Sequence, residues 1–344
     1  MAEIEETGTQ GGKSAEGAAA ADLEGQGLEG QEHLCLICLS MPFYPGEQPW
    51  TDAPQLDRRS CDAESYVEAM SREVLGAAGD YTDCRIPALW VGGGVATHMA
   101  DDKLAKLLRS IRQSFRLAAE DGTPAEITLR THPGQVSAAT MDTCRIGHVT
   151  NLRFDYATGV EGEARELGRA YGPSVMDITQ MVLGNAKLDL SFELWAGIPG
   201  QTPHSATTSV QSALKYGATS VHVGEYRLPE NCKLAHKRAK ESEEWRALPP
   251  HRLPGAEERG EIVTAMQEKL TAEGFAEYLP GEWALPGHEL RYLQLHAEGM
   301  DVLGFGLGAR TRFDGVGATN TGKLETYLRC SDDPSRCIAE THLL

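Results

Sequence analysis

Cys35 and Cys38 form a Cys-x-x-Cys pair, in a chain with eight cysteines. That spacing serves a metal or a redox couple when it sits in a loop. Here it falls in an apolar run, His33 to Leu39, that reads as a strand. Positions three apart in a strand face opposite sides, so one metal cannot easily draw on both. Buried thiols acting as small apolar groups are the plainer reading. No second Cys-x-x-Cys follows, and Cys61, Cys84 and Cys144 fall at helix ends or in loops. Cys330 and Cys337 flank a late loop and have the spacing to pair. Gly92-Gly93-Gly94 ends the second predicted strand, where the missing Cβ lets backbone approach a ligand or complete a tight turn. His98, His132 and His222 fall near strand ends, as core or loop residues or as contacts to a ligand or to a heme iron. Arg130 and Glu193 are placed to face each other there as an ion pair.

These residues need a scaffold, and the pattern supplies one. Predicted strands are Leu34–Ser40, Ile86–Val91, Glu126–Thr131, Val149–Asp155, Leu188–Trp195 and Ser220–Tyr226. Predicted helices between them are Ala63–Leu75, Asp102–Phe115, Gly162–Ala170, Ser174–Leu183 and Ser205–Lys215. The second carries Leu104, Leu107, Leu108, Ile111 and Phe115 on one face. Strand and helix in alternation predict an α/β fold with a parallel sheet under helices. Residues 229–258 read as a charged, Pro-containing linker. Beyond it come a helix over Glu261–Glu273, the stretch Phe275–Trp283, a Gly-rich run from Leu303 to Ala309, and Lys323–Arg329. Residues 1–31 are poor in large apolar groups and read as a disordered acidic tail.

Composition excludes some roles. The net charge of −18 over 344 residues argues against a phosphate-binding surface and hence against nucleic acid. No apolar run approaches the ~18 residues of a membrane span. The N-terminus lacks a signal-peptide pattern, so a cytoplasmic location is expected. No Gly-x-Gly-x-x-Gly opens the first helix, which leaves a dinucleotide site unsupported.

The motifs carry a resemblance. Met41-Pro42-Phe43-Tyr44-Pro45-Gly46-Glu47-Gln48-Pro49-Trp50-Thr51 resembles Pro-Phe-Cys-Pro-x-x-Cys-Pro-Tyr-Cys, the cluster loop of radical S-adenosylmethionine proteins similar to oxygen-independent coproporphyrinogen III oxidase and the heme chaperone HemW. Gly92-Gly93-Gly94 matches that family's Gly-Gly-Gly-Thr-Pro, with Val95-Ala96 at its end. Glu126-Ile127-Thr128-Leu129-Arg130-Thr131-His132-Pro133-Gly134 matches Glu-Ile-Thr-Leu-Glu-x-Asn-Pro-Gly. Leu167-Gly168-Arg169 matches Leu-Gly-Arg. Phe192-Glu193-Leu194-Trp195-Ala196-Gly197-Ile198-Pro199-Gly200-Gln201-Thr202 matches Leu-Asp-Leu-Ile-x-Gly-Leu-Pro-Gly-Gln-Thr. His222 to Leu228 and Leu303 to Ala309 extend the match, which runs from about residue 33 to 328 in one order. The family's His-Asn-x-x-Tyr-Trp is not recognisable around Tyr292–Ala297.

The resemblance implies a partial (β/α)6 TIM-like barrel of the radical S-adenosylmethionine type, over residues 32–228, with a small α+β C-terminal domain over 259–344. It implies a cofactor site at Gly92, Gly93, Gly94, Glu126, Arg130, Glu193, Gly197 and Pro199. It also implies a 4Fe–4S cluster, yet Tyr44, Gln48 and Thr51 stand where its three cysteines would be, so no metal ligand is assigned. Arg130 in place of an acid inverts the local charge, disfavouring a sulfonium and favouring an anion. The family's Gln is Ala157 and its Arg is Asn151. Function has to be read from the site and not from the fold. The expectation is a coproporphyrinogen III oxidase-like protein that has lost its cluster and its radical chemistry. It would bind a tetrapyrrole such as heme, or partner a catalytic homologue, with S-adenosylmethionine as a weaker candidate ligand. Two alternatives stand beside it. One is an active radical oxidoreductase of porphyrin metabolism whose cluster is held by other residues, starting with Cys35 and Cys38. The other is a protein that binds an anionic small molecule through Arg130.

Overall fold

Alternation in the first strand sets the architecture. Cys35, Ile37 and Leu39 turn to one side and join the main apolar core, while Leu36 and Cys38 turn to the other. The computed structural model describes residues 33–44, 56–57, 63–98, 101–169, 173–184 and 187–343. The segment 1–31, Gln48, Thr51 and Cys61 lie outside these described residues.

The strands are β1 (His33–Ser40), β2 (Ala88–Gly92), β3 (Glu126–Thr131), β4 (Asn151–Ala157), β5 (Asp189–Ala196) and β6 (Ser220–Glu225). Each pairs in parallel with its sequence neighbour. Between them run α1 (Ala63–Ala77), α2 (Asp101–Ser114), α3 (Ala138–Gly147), α4 (Pro173–Leu183) and α5 (Pro203–Lys215). After β6 come α6 (Ala256–Ala272), the hairpin β7 (Ala276–Leu279) and β8 (Glu282–Ala284), then α7 (Arg291–Ala297). The chain continues with β9 (Asp301–Phe305), β10 (Arg310–Phe313), β11 (Val316–Asn320), α8 (Leu324–Cys330) and β12 (Ile338–Leu343). The sheet order is β7-β8-β6-β5-β4-β3-β2-β1-β9-β10-β11-β12, an open barrel with two free edges.

The outer face is apolar because helices cover it. Ile127, Leu129, Leu152, Phe154, Phe192, Leu194 and Val221 pack there with Leu104, Leu107, Leu108 and Ile111 of α2, Val210 of α5, and Ile262, Met266 and Leu270 of α6. These side chains are at most 2% exposed, and each is worth roughly 1.5–3 kcal/mol on burial. The inner face carries the polar set: Thr128, Arg130, Arg153, Asp155, Ser191, Glu193 and His222.

Several expectations change in detail. The second predicted strand is split into Cys84–Ile86 and Ala88–Gly92 around Pro87, which has no N–H for the ladder. α3 was not foreseen, because Ala138–Gly147 has no broad apolar stripe; a Ser137–Thr140 capping box starts it. The stretch 229–258 does not run as a plain linker. It forms helices over Lys233–Arg238 and Glu243–Ala247, and Cys232 and Leu234 pack beside Trp195 and Leu228. The C-terminal residues extend the same sheet: β9 pairs in parallel with β1, and β8 pairs with β6.

Candidate functional site

Register places charges in two adjacent rows across the inner face. One row is Arg130, Arg153, Ser191 and Ser220. The next is Asp155, Glu193, His222 and Glu282. Residues two apart on a strand share a face, so each guanidinium meets the carboxylate row diagonally. Arg130 grips Glu193 with Nε–Oε1 at 3.1 Å and Nη2–Oε2 at 2.6 Å, and lies 3.3 Å from Asp155. Arg153 bonds Glu193 at 2.8 Å and Glu282 through two nitrogens at 2.8 and 3.0 Å. Arg169 bonds Asp155 at 2.7 Å and lies over the Trp195 ring at 4.6 Å. His222 closes the chain, with Nδ1 3.0 Å from Glu282.

Three guanidinium groups thus meet three carboxylates, all of them largely or fully buried. Burial alone would raise the Glu193 pKa, but Arg130 and Arg153 overcome it and hold the carboxyl well below its usual range. Asp155 is likewise depressed: Arg169 and Arg130 outweigh its burial. Glu282 is depressed too, by Arg153 and His222 against its burial. Glu193 and Asp155 in turn raise Arg130 further, against its burial. His132 goes the other way. Burial pushes it down to about 3, and its Nδ1 donates to the Pro133 carbonyl. It is a neutral imidazole at pH 7.

The glycine loops meet the chain itself. The Tyr44 hydroxyl donates to the Gly93 carbonyl at 2.8 Å, and Arg130 Nη1 reaches the Gly94 carbonyl at a weak 3.4 Å. A Cβ on Gly94 would sit 2.5 Å from the Met41 carbonyl oxygen and 2.6 Å from that of Phe43. Gly93 has φ +88°, a conformation that favours glycine. The Gln201 side chain accepts from the Gly197 N–H at 2.6 Å and donates to the Trp195 carbonyl. This fixes the loop around Pro199. Gly200 is pressed against Pro250 and donates to the Arg252 carbonyl. A register shift after Asp155 leaves Ala157 at φ +60°, a strained setting for a residue with a Cβ.

The structure brings together Gly93, Gly94, Arg130 and Glu193, with Tyr44 beside them. It does not bring Glu126 to them. Glu126 begins β3 at the opposite end, and its carboxylate accepts from the Arg291 and Tyr292 N–H groups at 2.7 and 3.1 Å. It is the cap of α7, which corrects the expectation of a cofactor contact. Arg130 is not a free cation either, since Glu193 and Asp155 cancel its charge; that removes the ground for an anion site there. Cys35 and Cys38 do turn to opposite faces, Cys35 toward Cys84 and Cys38 toward Tyr292, and burial raises both thiols. Sequence reasoning missed Arg153, Asp155, Arg169 and Glu282 as members of the network. The spacing Arg153-x-Asp155 in a wholly buried strand was the available signal.

The residues fit a 4Fe–4S cluster poorly. Tyr44 is buried with its hydroxyl committed, and burial raises its pKa, so it is no ready anionic ligand. Among the described residues, no group of three or more His, Cys, Asp or Glu is placed to hold a metal ion. Sulfonium binding also fits poorly, because Glu193 is already matched by two guanidinium groups.

No family model matches the chain. It is 22% identical over 316 residues to the heme chaperone HemW of Bacillus subtilis, covering 90% of this chain and 76% of that protein. It is 27% identical over 258 residues to HemW of Synechocystis, but spans only 58% of that protein's length. With the oxygen-independent coproporphyrinogen III oxidase of Salmonella typhimurium it shares 22% over 293 residues, 80% of this chain and 60% of that one. The solved structure of coproporphyrinogen III oxidase (HemN) from Escherichia coli, a radical SAM enzyme, matches with a TM-score of 0.76 at 18% identity, covering 91% of this chain and 72% of that one. Among the described residues no helix is long and apolar enough to cross a membrane. The chain is thus similar in sequence to the heme chaperone HemW and to oxygen-independent coproporphyrinogen III oxidase, and it has the radical SAM fold.

Proposed function

We propose that this protein does not initiate radical chemistry and acts instead by binding a tetrapyrrole, or by partnering a catalytic homologue that does the chemistry. Radical initiation needs an electron passed through a thiolate-held iron site to a bound sulfonium. The observation that carries the reading is the state of the barrel mouth. Tyr44 occupies the position of the first cluster cysteine and is bonded to Gly93, while Arg130 takes up Glu193. The groups that would meet cluster and sulfonium are spent on each other. HemW, described as a heme chaperone, supports the tetrapyrrole side of the proposal.

The test is anaerobic reconstitution with iron and sulfide, followed by iron and acid-labile sulfide analysis and an absorption spectrum. The expected result is no protein-bound cluster. About four irons per chain with matching sulfide would overturn the proposal and restore the active-enzyme reading.

A further inference from the structure

Two thiols near the end of the chain have no part in the charged mouth. Cys330 closes α8, and Cys337 ends a short turn of helix, Pro334–Cys337, just before β12. Their sulfurs stand 3.3 Å apart and both residues are buried. As a hydrogen bond this contact is worth little, because a thiol is a weak donor and sulfur a weak acceptor. As a pair of reactants it is well placed, since a modest approach of the two sulfurs makes a disulfide.

The loop between them is built to keep that spacing. The Asp333 N–H donates to the Cys330 carbonyl, and the Arg336 N–H donates to that of Asp333. The Cys337 carbonyl accepts from the Thr321 N–H. On the other side the loop is fastened to α1. Arg72 donates to the fully buried Ser331 hydroxyl at 3.0 Å, and Pro334 lies against Gly76.

β12 depends on this anchor. It is the last strand in the sheet order, it pairs with β11, and all six of its residues are exposed. With so little apolar burial of its own it belongs to the part of the fold that opens locally. Such opening is also what admits a small oxidant to the buried thiols. The strand has a second role, because Glu340 and His342 stand in the wall of a cavity of about 590 Å³. Tyr292 and His296 of α7 line the same cavity, which reaches Gly92 and Gly93 at the mouth. Whatever fixes β12 therefore fixes one wall of that cavity.

We propose that Cys330 and Cys337 are a site of reversible oxidation, whose disulfide locks β12 and with it the outer wall of the cavity. The oxidant is a peroxide. It transfers one oxygen to the first thiol, giving a sulfenic acid and water. The second sulfur then attacks the sulfenic sulfur. The S–S bond forms, the S–O bond breaks, and the hydroxyl leaves as a second water with the proton of the attacking thiol. Two electrons pass from the thiols to the peroxide. A dithiol reductant returns them and is itself oxidised to its disulfide.

The experiment uses the full chain, reduced with dithiothreitol, desalted, and treated with hydrogen peroxide. Remaining thiols are alkylated in denaturant before digestion with trypsin. Trypsin cuts after Arg329 and Arg336, which puts the two cysteines on separate peptides, 330–336 and 337–344. The expected product is a single linked mass of these two peptides that separates on reduction. Amide exchange in residues 338–343 should slow about tenfold in the oxidised protein and recover with dithiothreitol. Cys330→Ser and Cys337→Ser should each abolish the link and leave exchange in β12 indifferent to peroxide. Cys144→Ser, a buried thiol on α3, should keep both responses. The wild-type peptide map decides the matter even where a variant fails to fold. Recovery of both cysteines as alkylated or singly oxidised, unlinked peptides would overturn the site. So would a link from either of them to a different cysteine. A Cys330–Cys337 link with unchanged exchange in 338–343 would overturn the locking of β12.

Discussion

Arg130 shows how far one residue's meaning depends on its neighbours. Alone it is an inverted charge at a ligand site. Beside Glu193 and Asp155 it is one member of a neutral network. Buried ion pairs of this kind add little net stability but lock geometry, because removing one partner strands the other in a dry interior. His132 is the residue with the clearest consequence for pH. Its folded pKa of about 3 lies below the ordinary ~6.5 of histidine. Below pH ~6.5 the unfolded chain therefore takes up a proton that the folded chain refuses. The contribution is fully present above pH ~6.5 and is lost as pH falls toward 3. The depressed carboxylates Glu193, Asp155 and Glu282 act lower, where their stabilisation is lost below about pH 4. Wild type should thus lose stability between pH 6.5 and 4.5, and His132→Asn should lose less over the same interval. Urea midpoints across that range check it; equal slopes for the two proteins would show that His132 does not titrate as described.

At the scale of elements, the short helix α7 is the instructive case. Seven residues cannot sustain a helix alone. α7 is held by the Glu126 carboxylate on its first N–H groups and by Tyr292 packed against Trp90. An acid at a helix N-terminus satisfies orphan donors and meets the favourable end of the dipole. Glu126→Ala should cost about 1–2 kcal/mol. It should also speed amide exchange in residues 291–297, while α2 stays protected. Hydrogen exchange read by mass spectrometry measures both, and unchanged exchange in α7 would return Glu126 to the list of ligand contacts. The glycine loops make the same point. Gly94 is needed for contact with the Met41 and Phe43 backbone, and Gly200 for contact with Pro250.

For the whole molecule, the decisive pairing joins the two ends of the sequence. β9 lies beside β1 from Cys35 opposite Asp301 to Leu39 opposite Phe305. Glu73 of α1 reinforces the join: it accepts from the Gly306 N–H, the Asn320 amide and the Tyr327 hydroxyl, all from the C-terminal region. Without β9 the first strand would present a long apolar edge, a template for aggregation. A chain ending at Met300 should therefore be recovered as aggregate or as a loosely packed state. A monomer with wild-type melting behaviour in size exclusion and calorimetry would show that the barrel is independent of its C-terminal strands.

The order of strands and helices was legible in the sequence, because a parallel sheet under helices imposes apolar runs alternating with a 3.6-residue period. The motifs from Gly92 to Gln201 were legible too, since turns with positive φ demand glycine whatever the site does. That the cluster loop carries Tyr44 instead of a cysteine is likewise a sequence fact. Only the tertiary structure decided what these residues meet. Glu126 and Arg130 lie on the same face of β3, four residues apart, yet one caps a helix that begins 165 residues later and the other is neutralised by an acid 63 residues away. The cavity at Tyr292 and His296 was equally hidden, because its walls come from both ends of the chain. Local pattern fixes which side of a strand a residue faces; what stands opposite is set by the register of distant strands, and charge, pKa and cavity follow from that partner.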